Sequence, residues 1–168
     1  TAIAVSVYFF AGVKLSRFLV LILIFSVIMG ILTFAAPYRF NRLKAFLNPQ
    51  EDKQDTSYHI NQALLSIGSG GVFGLGFGQS RQKFNYLPEP VGDSIFAVTV
   101  EELGLVGGVF LLAVYVFLIL LLVHTAKNAP EGFGKLIVLG VTAWITSQTF
   151  INIAAISGLL PLTGIPMP

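Results

Sequence analysis

Leu103–Val123 reads LGLVGGVFLLAVYVFLILLLV. It carries no Asp, Glu, Lys or Arg, and its apolar residues do not alternate with polar ones. Roughly 20 helical residues cross a ~30 Å hydrocarbon core, so this stretch is long enough to span a bilayer. A transmembrane β-strand would alternate outward apolar and inward polar positions, which this run does not.

Working outward, two more stretches of the same kind appear, Phe18–Ala36 and Leu136 to about Ile156. A fourth, Thr1–Gly12, is apolar but too short to span alone. The whole chain is 55% hydrophobic and 11% charged, with a mean hydropathy of +0.82. Soluble domains carry about 25% charged residues. The expected fold is therefore all-α, a polytopic integral membrane helical bundle forming one membrane domain over residues 1–168. Its spans are read over about 1–12 (partial), 16–36, 94–123 and 135–156, with a long loop over 37–93. The chain opens without Met inside an apolar run, has no basic segment before it, and stops in a Pro/Gly-rich turn. The expectation is an internal piece of a larger multi-pass protein, without a cleavable signal peptide.

Charge excludes some classes. A net charge of +2 with no basic stripe interleaved with aromatics argues against nucleic acid as a partner. No cysteine is present, so disulfides and thiolate metal sites are absent from this sequence.

Charge also orients the spans. Lys14 and Arg17 lie in one short turn, and Lys127 in another, running His124–Gly134. Short loops bearing Lys and Arg stay in the cytoplasm, which puts the long loop outside. Arg39, Arg42 and Lys44 at the start of that loop argue the other way.

The long loop is where chemistry is expected. Arg39–Leu47 reads as a short amphipathic helix at the interface or as an extension of the preceding span. Gln50–Ser57 is a charged linker and Tyr58–Ile67 a second short helix. Gly68, Gly70, Gly71, Gly74, Gly76 and Gly78 follow. Such density serves a phosphate-cradling loop, a tightly packed re-entrant turn, or both at once. Neither a P-loop nor a GxGxxG pattern is matched. Arg81, Gln82 and Lys83 come next. They suit a pyrophosphate or lipid-phosphate clamp, or ordinary snorkelling toward headgroups. His59 reads as a surface or packing residue. Asp93 stands where the chain re-enters the bilayer, as a helix N-cap or as a general base. Glu101 and Glu102 fall inside the membrane edge, where acids are functional or paired. Gln148 and Asn152, four apart, face the bundle interior as glue between helices or as cavity lining.

The run YHINQALLSIGSGGVFGLGFGQSRQKFNYLPE (Tyr58–Glu89), followed by Asp93, Ile95–Val98 and Glu101-Glu102-Leu103-Gly104, resembles the SEDS family of shape, elongation, division and sporulation proteins. Ala36–Pro49 and Ile151–Pro168 fit the same family in the same order, so the resemblance covers nearly the whole chain. The QK-x-x-YLPEP pattern is closer to the division branch, FtsW, than to the elongation branch, RodA. The resemblance implies about four of an expected ten transmembrane helices, the first truncated. It implies a glycosyltransferase that polymerises lipid II into peptidoglycan strands, in cell division or cell-shape maintenance, at the bacterial cytoplasmic membrane with the long loop outside. Rival expectations are a flippase for the lipid-linked precursor and a non-catalytic scaffold. The family's essential acid maps onto Asp93. The family pattern has His-Thr before that acid and Phe after it; here Val91-Gly92 and Ser94 stand there.

In that reading Asp93 is catalytic. Arg81 and Lys83 face the leaving pyrophosphate, and Ser69, Gln82, Glu89 and Glu102 complete the candidate substrate contacts. The candidate cofactor is a divalent cation, Mg²⁺ or Mn²⁺. Expected partners are lipid II, membrane lipid, a class B penicillin-binding transpeptidase and other division proteins.

Overall fold

A computed structural model describes residues 2–35, 46, 56–82, 92–129, 132–161 and 164–168. Among the described residues the structure is helical, with no strand. The helices are α1 (Ala2–Phe10), α2 (Leu15–Ala35), α3 (Thr56–Ser69), α4 (Ile95–Asn128) and α5 (Phe133–Ile156). Of these, α2, α4 and α5 are long and apolar enough to cross a membrane. The segments read over Arg39–Leu47, apart from Phe46, and over Leu87-Pro88-Glu89 lie outside the described residues.

The chain divides into two compact units, Thr1–Phe40 with Val116–Ser147 and Asn41–Tyr115 with Gln148–Pro168. In the first, α1 closes on Ala11-Gly12, where Gly12 takes φ 75° and its N–H donates to the Phe9 carbonyl at 3.2 Å. Glycine adopts that left-handed conformation without the Cβ penalty, so the helix stops there. Phe9 then meets Phe18 across the turn, with ring centroids 5.2 Å apart. The side chains of Leu19, Leu23, Ile24, Val27 and Ile31 are exposed along α2. An apolar surface of that kind belongs to a lipid- or protein-covered helix.

The α4 helix runs beyond its expected end. The sequence places a turn from His124; the helix instead continues to Asn128. Asn128 Nδ2 lies 2.9 Å from His124 Nε2 one turn back, and Thr125 Oγ1 donates to the Leu121 carbonyl at 2.9 Å. Lys127 in the last turn favours the negative helix end. Local polar bonds carry the helix past the point where the apolar run stops.

The second unit holds the buried core. Ala63, Phe96, Ala97, Val98, Val100 and Ile156 form it, with Ile67, Leu111, Leu112, Ile153 and Met167 packed against it. α3 crosses α4 on small residues: Ala63 and Ser66 are buried. A Cβ on Gly70 would lie 2.1 Å from the Val100 carbonyl oxygen. Small residues at a crossing let two backbones approach.

α5 ends in a Schellman motif. Gly158 takes φ 73°, its N–H donates to Ala155 O at 3.2 Å, and the Leu159 N–H donates to Ala154 O at 2.8 Å. The chain then turns back along α5. Gln148 Nε2 donates to Pro166 O at 2.8 Å, Asn152 Nδ2 to Ile165 O at 2.9 Å, and the Tyr115 hydroxyl to Pro168 O. Gln148 and Asn152 thus hold the returning segment, which is not a helix.

Candidate functional site

Asp93 sits in the turn Gly92–Ser94 that leads into α4 and is half-buried. Its backbone carbonyl accepts from Asn152 Nδ2 at 2.9 Å. The N-cap expected at Asp93 falls one residue later. Ser94 O accepts from the Val98 N–H at 3.1 Å, and the helix proper begins at Ile95. The cap is the residue whose carbonyl takes the first intrahelical bond while its own backbone is still outside the helix. That residue is Ser94, and Asp93 precedes it.

Ser94 is fully buried, and its Oγ lies 2.7 Å from His59 Nε2 on α3. His59, expected as a surface or packing residue, therefore reaches the residue next to the candidate base. Sequence spacing had no way to pair residues 35 positions apart.

Further along α4, Glu101 is 1% exposed and organises the glycine-rich loop. Its Oε2 accepts from Ser80 Oγ at 2.6 Å and Ser66 Oγ at 2.7 Å. Its Oε1 accepts from the backbone N–H groups of Arg81 at 2.9 Å and Gln82 at 3.4 Å. A carboxylate is an acceptor-only group with two oxygens, which suits converging donors. Glu102 is also buried and accepts from the Gly78 N–H at 2.9 Å. Both acids thus tie the loop to α4.

The helix breaks to admit that loop. Gly104 takes φ 73° and ψ −173°. The carbonyls of Glu101 and Glu102 accept from Leu75 N–H at 2.9 Å and Gly76 N–H at 3.0 Å. On the other side of the break, Leu105 and Val106 donate to Gly71 O at 2.9 Å and Val72 O at 3.2 Å. A Cβ on Gly104 would stand 2.3 Å from Val72 O, and one on Gly74 would stand 2.2 Å from Glu102 O. The glycines here permit close backbone contact, the packed-turn alternative of the two read from the sequence.

The other expected site residues fall as follows. Arg81 has an exposed side chain while its backbone is fixed to Glu101. Gln82 is half-buried, and its Oε1 has no hydrogen-bond partner among the described residues. Ser69 Oγ donates to Ser66 O at 2.9 Å within α3. Lys83 and Glu89 lie outside the described residues. Among the described residues, no three His, Asp or Glu side chains gather where they could hold a metal ion. Ser66 and Ser80 were not singled out in the sequence. The signal that existed was Glu101 itself, since an acid at membrane depth must be paired.

These elements describe a multi-pass helical membrane protein with a glycine-rich loop stapled beside the entry to a spanning helix. The family model for cell cycle proteins of the FtsW/RodA/SpoVE type matches residues 1–168, and the chain belongs to that family. Similar relatives include Stage V sporulation protein E of Bacillus subtilis (strain 168), 44% identical over 95% of this chain and 44% of that protein. Another is the Coxiella burnetii protein named Probable peptidoglycan glycosyltransferase FtsW, 37% identical over 100% of this chain and 46% of that protein. A solved chain described under structural coordination of polymerization and crosslinking by a peptidoglycan synthase complex matches the fold with a TM-score of 0.69. It is 22% identical and is matched over 97% of this chain and 45% of its own length. The chain spans about half the length of the relatives it matches.

Proposed function

We propose that this chain forms part of a peptidoglycan glycosyltransferase that polymerises lipid II at the bacterial cytoplasmic membrane, with the loop between α2 and α4 on the outer side. One observation carries the reading. Asp93 stands at the mouth of a spanning helix, its carbonyl fixed by Asn152, while the loop bearing Arg81 is fixed to the same helix by Glu101. Relatives named as glycosyltransferases support it.

The chemistry follows from the residue types. An acceptor sugar 4-hydroxyl attacks the anomeric carbon of the donor; the C–O bond forms as the bond to undecaprenyl pyrophosphate breaks. Asp93 takes the hydroxyl proton as general base. Negative charge grows on the leaving pyrophosphate, and Arg81 and Lys83 stabilise it. Gln82, whose Oε1 has no hydrogen-bond partner among the described residues, is a further proposed substrate contact. Ser69, Glu89 and Glu102 complete the proposed contact set. A class B penicillin-binding transpeptidase is the proposed partner, in keeping with the complex described for the structural neighbour.

The test uses the full-length protein in lipid vesicles with labelled lipid II. Asp93→Asn should insert normally and lose about 10²–10⁴ in polymerisation rate. Unchanged polymerisation by that variant would remove Asp93 from the chemistry. Movement of lipid II across the bilayer without polymer would favour a transporter, and neither activity would favour a scaffold.

A further inference from the structure

The dipeptide Asp93-Ser94 is held from two directions. From α5, Asn152 Nδ2 donates to the Asp93 carbonyl at 2.9 Å. From α3, His59 Nε2 meets Ser94 Oγ at 2.7 Å. Ser94 is 0% exposed and its carbonyl opens the hydrogen-bond ladder of α4. The peptide linking these two residues is therefore tied to α3, α4 and α5. Asp93 itself is half-buried at the edge of this arrangement.

Burial sets the meaning of the His59–Ser94 bond. A serine with no solvent access does not serve as a nucleophile for a lipid-linked sugar, so the pair is not a Ser–His hydrolytic dyad. A buried hydroxyl needs a partner. Here Ser94 reaches a side chain on another helix. The imidazole can donate to the hydroxyl or accept from it, so the bond needs no particular tautomer. What the contact fixes is the backbone from which the Asp93 carboxylate projects.

We infer that His59 is a positioning residue for Asp93, acting through Ser94. This rests on the glycosyltransferase reading above. A general base must lie within about 2.6–3.2 Å of the proton it takes. A misplacement of about 1 Å can lower a rate about 10²-fold. In this chain the residue after the acid, Ser94, is held by a side-chain hydrogen bond to another helix. His59 is the other half of that bond.

The experiment measures kcat and KM for lipid II polymerisation by the full-length protein in vesicles, alongside its thermal unfolding. His59→Leu should lower kcat about 10- to 100-fold with KM changed less than about threefold. His59→Gln, which keeps a hydrogen-bonding group of similar reach, should recover much of that loss. Ser94→Ala should lower kcat in the same way, and His59→Leu with Ser94→Ala should be no worse than either alone. Two independent folding defects would instead multiply. Unchanged kcat in His59→Leu overturns the inference. So do equal losses in His59→Leu and His59→Gln, or a double variant whose loss is the product of the singles. Wild-type protein that makes no polymer takes down the glycosyltransferase reading, and this inference with it.

Discussion

Glu101 gathers donors from three places in the chain: Ser66 on α3, Ser80 in the loop, and the backbone of Arg81 and Gln82. Removing such an acceptor leaves buried donors unsatisfied, each costing about 1–3 kcal/mol. Glu101→Ala should therefore destabilise the protein by about 2–6 kcal/mol, the sum over the two backbone N–H groups that cannot turn away. Glu101→Gln should cost less, about 1–2 kcal/mol. Its amide oxygen can still accept from the fixed N–H groups, and the serine hydroxyls can rotate to accept from its NH₂. Thermal and denaturant unfolding in detergent check the order; wild-type stability in Glu101→Ala would refute it. Arg81 makes the complementary case. Its backbone serves the staple while its side chain is exposed. Arg81→Ala should leave unfolding unchanged and lower lipid II use, if the guanidinium meets phosphate. Wild-type turnover by Arg81→Ala would move the leaving-group contact elsewhere.

At the scale of elements, the spans were legible because an uncharged apolar run of sufficient length leaves few alternatives. The short helix over Tyr58–Ile67 was legible too, and in the structure it extends to Thr56–Ser69. Two features were not. The extension of α4 to Asn128 depends on side-chain bonds between His124, Thr125 and neighbours one turn away. The break at Gly104 depends on a partner more than two dozen residues back; Gly104, Gly107 and Gly108 look alike in sequence, and only Gly104 takes a positive φ. For the same reason the sequence did not show that Glu101 is the hub of the loop. Which of two adjacent acids gathers the donors is set by the path of a distant segment. Gly104→Ala combines a left-handed backbone with a clash against Val72 O and should cost about 1–3 kcal/mol or more. Gly68→Ala, with nothing within 4 Å of its added Cβ, should be neutral or mildly stabilising. A silent Gly104→Ala in unfolding measurements would contradict the break.

At the scale of the whole molecule, α4 sets the membrane geometry. Its 34 residues would cover roughly 50 Å if straight, more than the ~30 Å core. Asp93 and Asn128 flank that span and should lie on opposite sides. The sequence holds no cysteine, so single cysteines can be labelled without background. A cysteine at Gln54 should react with a membrane-impermeant thiol reagent in intact cells. One at Asn128 should react only after the membrane is opened. The reverse pattern would overturn the proposed orientation and the placement of the chemistry outside.

The break at Gly104 has a kinetic side. Around it, the loop and the helix exchange four backbone hydrogen bonds, through Leu75, Gly76, Leu105 and Val106. The four bonds stand side by side around one break, so releasing one amide is expected to loosen its neighbours. The loop is therefore expected to open together with the helix rather than by itself. Amide deuterium uptake at Leu75 and Gly76 should keep pace with uptake at Leu105 and Val106, since one opening event exposes all four. Peptide-resolved mass spectrometry in nanodiscs would read this directly: synchronous exchange marks a single foldon, and rapid uptake confined to the glycine stretch would show that the two part company.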